Sequence, residues 1–354
     1  MPRYVVILFL FFTGDYFIMS FIFALIALLC WSGSDLFSKL GTSQKDKNSH
    51  YKVMFAVGII MGIHAVITII VSAFIPPIEE GATPEWWRNI IYTDFKPIDF
   101  LHYAPVAAIY LLAMLIGYAG LRYIELSVSS PICNSSGSLA LVICIIIDWA
   151  TIDGLSIAAV VLITVGIIML GIVEYREDDE IKLARQDSKQ FKYTKSFIAI
   201  LIPIIYLLLD ALGTVGDELI SNEELFDLSE YASNTSFEFT ALLFALISLF
   251  IVKVIKKEKF FSAEGNEISE AGGKLTLRKA LIIGGACETI GQIFYMAVVF
   301  SDFHAGLPMI SSYCVLSVVW SRIFLKEKLS WKHYVAIGLT IAGIIILGIT
   351  EALA

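Results

Sequence analysis

Ten consecutive stretches of mostly apolar residues, each close to twenty residues long, constrain this chain more than any other feature. They run roughly over 18–38, 53–75, 100–121, 127–148, 155–174, 196–216, 235–255, 279–300, 305–325 and 331–350. A helix rises about 1.5 Å per residue, so about twenty apolar residues cross the roughly 30 Å of hydrocarbon in a bilayer. With 58% hydrophobic and 16% charged residues, the chain cannot hide so many such stretches in one water-soluble core. The pattern predicts an all-α polytopic membrane protein with ten transmembrane helices. The leading run MPRYVVILFLFF is too short to span alone and is interrupted by Gly14 and Asp15. It reads as an extension of the first helix, part of a signal-like segment, or a stretch upstream of a start at Met19.

The chain also repeats itself. At a shift of 177 positions Pro308 falls on Pro131, Ser312 on Ser135, Gly343 on Gly166, Leu347 on Leu170, Gly348 on Gly171 and Glu351 on Glu174. Upstream, Tyr295 falls on Tyr118 and Asp302 on Glu125. This divides the chain into a first five-helix repeat over 1–175, with 1–18 as an N-terminal extension, a cytoplasmic linker over 176–195 and a second repeat over 196–354. Five spans is an odd number, so the two halves must be inverted in the membrane, an arrangement common among secondary transporters.

Charge sets the orientation, because cytoplasmic loops retain Lys and Arg. All of the 25 Lys and Arg except Arg3, Arg88 and Lys96 fall in odd-numbered loops, Lys39 being counted in the first. Odd loops are therefore cytoplasmic and both termini lie outside, in a cell membrane (plasma or inner). The basic hairpin LKEKLS at 325–330 corresponds to DWATID at 148–153, which has no Lys or Arg, as inversion requires. Pro76–Pro97, with Trp86 and Trp87, reads as an outer interfacial segment. Asp217–Glu230, without Lys or Arg, reads as a solvated outer loop. Asn234-Thr235-Ser236 is an outer glycosylation sequon, relevant only in a secretory setting, and Asn134-Ser135-Ser136 is discounted because it lies within a span.

The inverted halves, the prolines opening the fourth and ninth spans, and the ending GLPMISSYCVLSVVWSRIFLKEKLSWKHYVAIGLTIAGIIILG together resemble the drug/metabolite transporter superfamily, EamA type. The resemblance covers nearly the whole chain and is strongest over the fourth, fifth, ninth and tenth spans. It implies secondary transport of a small metabolite through a central cavity. The superfamily spans amino acids, nucleotide sugars, sugar phosphates and drugs, and no motif here restricts the choice. Alternating access would rock the halves about a cavity lined by spans one, three, four, six, eight and nine, the third on the resemblance alone. The alternatives are a non-transporting receptor or regulatory subunit, and an intramembrane serine enzyme using one of Ser135 to Ser138, for which no convincing histidine faces the serines.

Polar side chains at membrane depth are costly and are therefore candidate functional residues. Trp31 and Asp35 in the first span, and Tyr206 and Asp210 in the sixth, are aromatic-x-x-x-Asp pairs on one helical face, the second continued by Thr214. In the eighth span Gly284, Glu288, Gln292 and Tyr295 share a face, with Glu288 near the midplane. Glu288 is the candidate for a proton site or for a cationic group on the substrate, with Gln292 and Tyr295 beside it. The fourth span carries Ser127, Ser130, Asn134 and Ser138 as a neutral stripe, and the ninth Tyr313, Ser317, Trp320 and Ser321. Asn134, Tyr313, Trp31 and Tyr206 complete the substrate-site candidates. Inversion puts Asp35 and Asp210 on opposite sides of the midplane, about 15 Å apart along the membrane normal, as candidate cytoplasmic and outer gates.

Other polar residues suit structural roles. Arg122 and Glu125 are expected to pair, Glu327 to act in a turn or cap, His64 and Glu238 to be satisfied by neighbours, and His304 to be solvated. Gly58 and Gly62 make a small-x-x-x-small step for close packing. Cys30, Cys133, Cys144, Cys287 and Cys314 lie within apolar runs without metal-type spacing and read as buried small hydrophobes. No metal or cofactor is expected. The partners implied are a small-molecule substrate and the lipid bilayer, with a homodimer allowed. The net charge of -8 comes from loop acids, and nothing resembles a nucleic-acid surface.

Overall fold

The computed structural model describes residues 3–43, 45–75, 88–147, 154–176, 197–221, 228–258, 260, 266–271, 274–299 and 306–353. It is 84% helix, without strands among the described residues. The helices are α1 (Arg3–Gly41), α2 (Ser49–Ser72), the short α3 (Arg88–Ile91), α4 (Pro97–Gly120), α5 (Leu126–Cys133), α6 (Ser136–Ile146), α7 (Gly154–Arg176), α8 (Phe197–Ser221), α9 (Glu230–Phe250), α10 (Leu277–Val299), α11 (Gly306–Ser311), α12 (Tyr313–Trp320) and α13 (Trp331–Leu353). Nine helical segments among the described residues are long and apolar enough to cross a membrane, and the chain is an integral membrane protein. The expected ninth span is present as a shorter apolar helix, Met309–Leu325. The leading run joins α1 without a break at Gly14 or Asp15.

Two spans are broken at repeat-equivalent places. Pro131 has no N–H to offer the preceding turn, and four residues later the Ser135 hydroxyl donates to its carbonyl at 2.7 Å. The helix stops at Cys133 and restarts at Ser136. At the position 177 residues later, Ser312 interrupts α11 and α12 and its hydroxyl donates to the Met309 carbonyl at 2.6 Å. Both breaks use a short hydroxyl side chain to replace a helical backbone partner. A π-helical turn, Ser321–Leu325, extends α12 to Lys326, whose left-handed backbone (φ 54°, ψ 31°) ends the helix.

The helices pair as α1 with α10, α4 with α8, α2 with α9, α7 with α13 and α5 with α12, while α9 also packs on α4 and α10 on α2. Small residues allow the close approaches. A Cβ on Gly58 would collide with the Ala241 carbonyl, and one on Gly62 would lie 2.7 Å from Leu242 Cβ, so this step serves packing between α2 and α9. The lipid side carries Ile63, Val66, Ile67 and Ile70 of α2 and Leu243, Leu246, Ile247 and Phe250 of α9, all exposed.

Two loop expectations need correction. Asp217 is not in a solvated loop: α8 continues to Ser221, and the Tyr103 hydroxyl donates to Asp217 at 2.8 Å. Asn234 lies inside α9, with Thr235 and Ser236 buried, because Ser229 caps that helix by accepting from the Ala232 amide at 3.1 Å. Residues 76–87, 177–196, Asp302 and His304 lie outside the described residues.

Candidate functional site

The two aromatic-x-x-x-Asp pairs are held in matching ways. The indole of Trp31 lies on Gly291 of α10, where an added Cβ would be 2.7 Å from Nε1, and the ring of Tyr206 lies on Gly117 of α4, with 2.7 Å to Cδ2. Each aromatic thus seats on a glycine of the partner helix and fixes the aspartate one turn further on. Asp35 accepts from Ser130 of α5 at 2.6 Å and from Ser317 of α12 at 2.7 Å. Asp210 accepts from Ser136 of α6 at 2.5 Å. The two aspartates therefore take hydroxyls on either side of the break in the fourth span. Six positions separate Ser130 from Ser136, about 9 Å of helical rise.

Glu288 of α10 is hydrogen-bonded to Ser34 of α1 and lies within the electrostatic reach of Asp35. Tyr118, Tyr206 and Tyr313 lie within electrostatic range of Glu288. Cys133 lies within electrostatic range of both aspartates. Trp31 is the aromatic centre of the group, with ring centroids 5.1 Å from Tyr295 and 5.8 Å from Tyr313. Trp31, Asp35, Asn134, Tyr206, Asp210, Glu288, Tyr295 and Tyr313 are all half-buried. Among the described residues, Trp31 Nε1, the Tyr118 hydroxyl and Asn134 Nδ2 have no hydrogen-bond partner. Three carboxyl groups, a ring of aromatics and unused donors can together hold a small solute by charge, stacking and hydrogen bonds.

Gln292 sits differently from its neighbours. Its Nε2 donates to Asn234 Oδ1 of α9 at 2.9 Å, so the amide is engaged away from the Trp31 cluster. Asn234 also hydrogen-bonds Glu238, which is 1% exposed and is met by His64 Nδ1 at 2.8 Å from both carboxylate oxygens. The two residues expected to be satisfied by neighbours satisfy each other.

Two charged side chains meet helix ends far from them in the sequence, Lys39 against expectation and Glu327 in the capping role expected of it. Lys39, counted as a loop cation, is 0% exposed; its Nζ donates to the Leu121 carbonyl and, at 3.0 Å, to that of Ile124. It holds the free carbonyls at the end of α4, where a cation suits the helix dipole. Glu327 caps a distant helix: its carboxylate accepts from the amides of Leu126 and Ser127, each at 3.0 Å, and from the Ser127 hydroxyl at 2.7 Å. The turn between α4 and α5 is thereby held from two sides, by α1 and by the loop before α13.

The serines considered for enzyme chemistry are otherwise employed. Ser135 and Ser138 donate to backbone carbonyls, each at 2.7 Å, and Ser136 bonds Asp210. His64 is bound to Glu238, and His333 Nδ1 to Ser330 at 2.7 Å. Among the described residues no group of His, Cys, Asp and Glu could hold a metal ion.

No curated protein matches this chain. Residues 227–349, which take in α9, α10, α11, α12 and most of α13, match the EamA-like transporter family, consistent with the drug/metabolite transporter superfamily.

Proposed function

We propose that the chain is a secondary transporter that moves a small metabolite by alternating access, with ten crossings arranged as two inverted five-helix halves. The observation that carries this reading is the paired seating of Trp31–Asp35 and Tyr206–Asp210. Each lies on a glycine of the opposite half, and each aspartate is tied to one side of the broken fourth span. Helix pairing supports the two-fold plan, since exchanging the halves turns α1–α10 into α8–α4 and α6–α8 into α12–α1, and leaves α2–α9 and α7–α13 as self-exchanging pairs.

Substrate would bind between these two points. Trp31, Tyr206, Tyr295 and Tyr313 supply stacking surface, while Trp31 Nε1 and Asn134 Nδ2 are donors left for a ligand acceptor. A buried donor without a partner costs about 1–3 kcal/mol, which a bound acceptor would recover. Glu288 is the central charge, suited to a cationic group or a proton. Asp35 and Asp210 would act at the cytoplasmic and outer ends. Lys39 and Glu327 would close the cytoplasmic end by fixing the turn between α4 and α5.

The test is flux. Purified protein in liposomes, offered separate radiolabelled pools of amino acids, nucleotide sugars and sugar phosphates, should exchange members of one pool well above protein-free vesicles. A receptor or regulatory subunit would exchange none of them.

A further inference from the structure

The hydrogen bonds leading away from Gln292 end at a site that the transport cycle described above does not use. We propose that His64 and Glu238 form a proton-binding site outside the substrate cavity, linked to it through Asn234 and Gln292, and that this site couples transport to protons. The inference rests on the transporter reading.

The geometry is that of a pair holding its proton. Thr68 Oγ1 donates its hydrogen to the His64 carbonyl at 2.9 Å. The same oxygen lies 3.4 Å from His64 Nε2, so it accepts from an Nε2–H. His64 Nδ1 faces both Glu238 oxygens at 2.8 Å and needs one hydrogen between ring and carboxyl. The pair therefore carries two hydrogens, as imidazolium with carboxylate or imidazole with carboxylic acid, and is neutral either way. Releasing one proton leaves an Nδ1–H imidazole beside a carboxylate, with one net negative charge, and turns the Thr68 hydroxyl toward Nε2. No other covalent bond is made or broken, and the hydrogen bond from Thr68 to the His64 carbonyl is given up.

A proton has a route to this point. Thr68 and Ser72 follow His64 at successive four-residue steps on α2, and Ser72 Oγ accepts from the Thr93 amide at 2.8 Å where α2 ends. Thr235 Oγ1 lies 2.8 Å from Thr93 Oγ1 and one turn before Glu238 on α9. Hydroxyls thus line the way from the loop near Thr93 to the pair.

The link to the cavity is a chain of two amides. Gln292 Nε2 donates to Asn234 Oδ1, which fixes Asn234 to present its Nδ2 to Glu238. Gln292 lies on the α10 face that also carries Glu288 and Tyr295, so a substrate that draws the Gln292 amide inward changes what Glu238 receives. Ionisable groups on the elements around the pair are Arg278, Lys279, Cys287, Glu288 and Tyr295 on α10, Asp99, His102, Tyr103, Tyr110 and Tyr118 on α4, Arg88 on α3, Glu230 and Tyr231 on α9, and His50, Tyr51 and Lys52 on α2. Among the described residues, those that act on Glu238 directly are His64 and Asn234.

Infrared difference spectroscopy on the full chain in liposomes, titrated from about pH 5 to about pH 9, reads the site with the proton as the only ligand. We expect a proton-uptake step with imidazole and carboxyl bands that is absent, or displaced by at least about tenfold in proton affinity, in both H64Q and E238Q. We expect Q292A to move the midpoint by about threefold or more, within the usual range of coupling between sites. Thr68→Val, close in shape and leaving both ionisable groups in place, should also move it and serves if either other variant fails to fold. A step with the wild-type midpoint in H64Q and E238Q, or in T68V, overturns the site; an unmoved midpoint in Q292A overturns the link. The titration needs no flux, so it can fail while transport is observed and succeed where it is not.

Discussion

Gly166 and Gly343, 177 residues apart, each press the other's helix. A Cβ on Gly166 would lie 2.9 Å from the Ala336 carbonyl and 2.8 Å from the Thr340 amide of α13. One on Gly343 would lie 2.7 Å from the Ala159 carbonyl and 2.9 Å from the Ile163 amide of α7. Ala336 and Thr340 are themselves the 177-shift partners of Ala159 and Ile163. This reciprocal contact is what a two-fold relation between halves requires of its axis.

Because the obstacles include backbone atoms that cannot swing aside, Gly166→Leu and Gly343→Leu should each destabilise the protein by about 1–3 kcal/mol, as overpacking does. Gly338→Leu, where an added Cβ meets nothing, should cost less. Equilibrium unfolding in detergent checks this. Similar losses at 166 and 338 would contradict the reciprocal packing.

Removing the cation that fixes α4 to α1 should loosen the end that the charge bias assigns to the cytoplasm. Lys39→Met keeps the stem and leaves the Leu121 and Ile124 carbonyls without their donor. Labelling of the native Cys133 by a maleimide reagent from the cytoplasmic side should rise about tenfold, equivalent to about 1.4 kcal/mol in the opening equilibrium. An unchanged rate would make Lys39 a plain cap.

Much of this was legible in the sequence, and the failures have physical reasons. The 3.6-residue faces that placed Asp35 beside Trp31 and Glu288 beside Gln292 depend only on local helix geometry, so they survive into the fold. Glu327 is a cap, as expected, but neither it nor Lys39 shows in the sequence which helix end it meets. Their partners, Leu121 and Leu126, are backbone groups of distant residues, and no side-chain pattern announces them. Asn234 was read as a sequon because a helix capped at Ser229 starts earlier than the apolar run suggests. The break at Ser135 was half visible in Pro131 and its repeat partner Pro308.

Glu288→Gln keeps the shape of the side chain and its contact with Ser34 while removing the charge. We expect it to remain folded in the membrane but to lose transport or the pH dependence of transport. Flux with the wild-type pH profile would reduce Glu288 to a structural acid.

The charge bias makes a separate prediction about orientation. Tags at Ala354 and near Glu224 should be reached by membrane-impermeant reagents from outside intact cells, and tags near Asp187 and Glu264 only after permeabilisation. The opposite pattern would reverse every inside and outside statement above.

Alternating access about Asp35 and Asp210 is tested most directly by neutralising each aspartate and following accessibility from the two sides of the membrane. Each holds hydroxyls on a different side of the fourth-span break. Asp35→Asn should therefore raise maleimide labelling of Cys133 from one side and lower it from the other, and Asp210→Asn should do the reverse. Changes in the same direction for both variants, or none in either, would contradict the account.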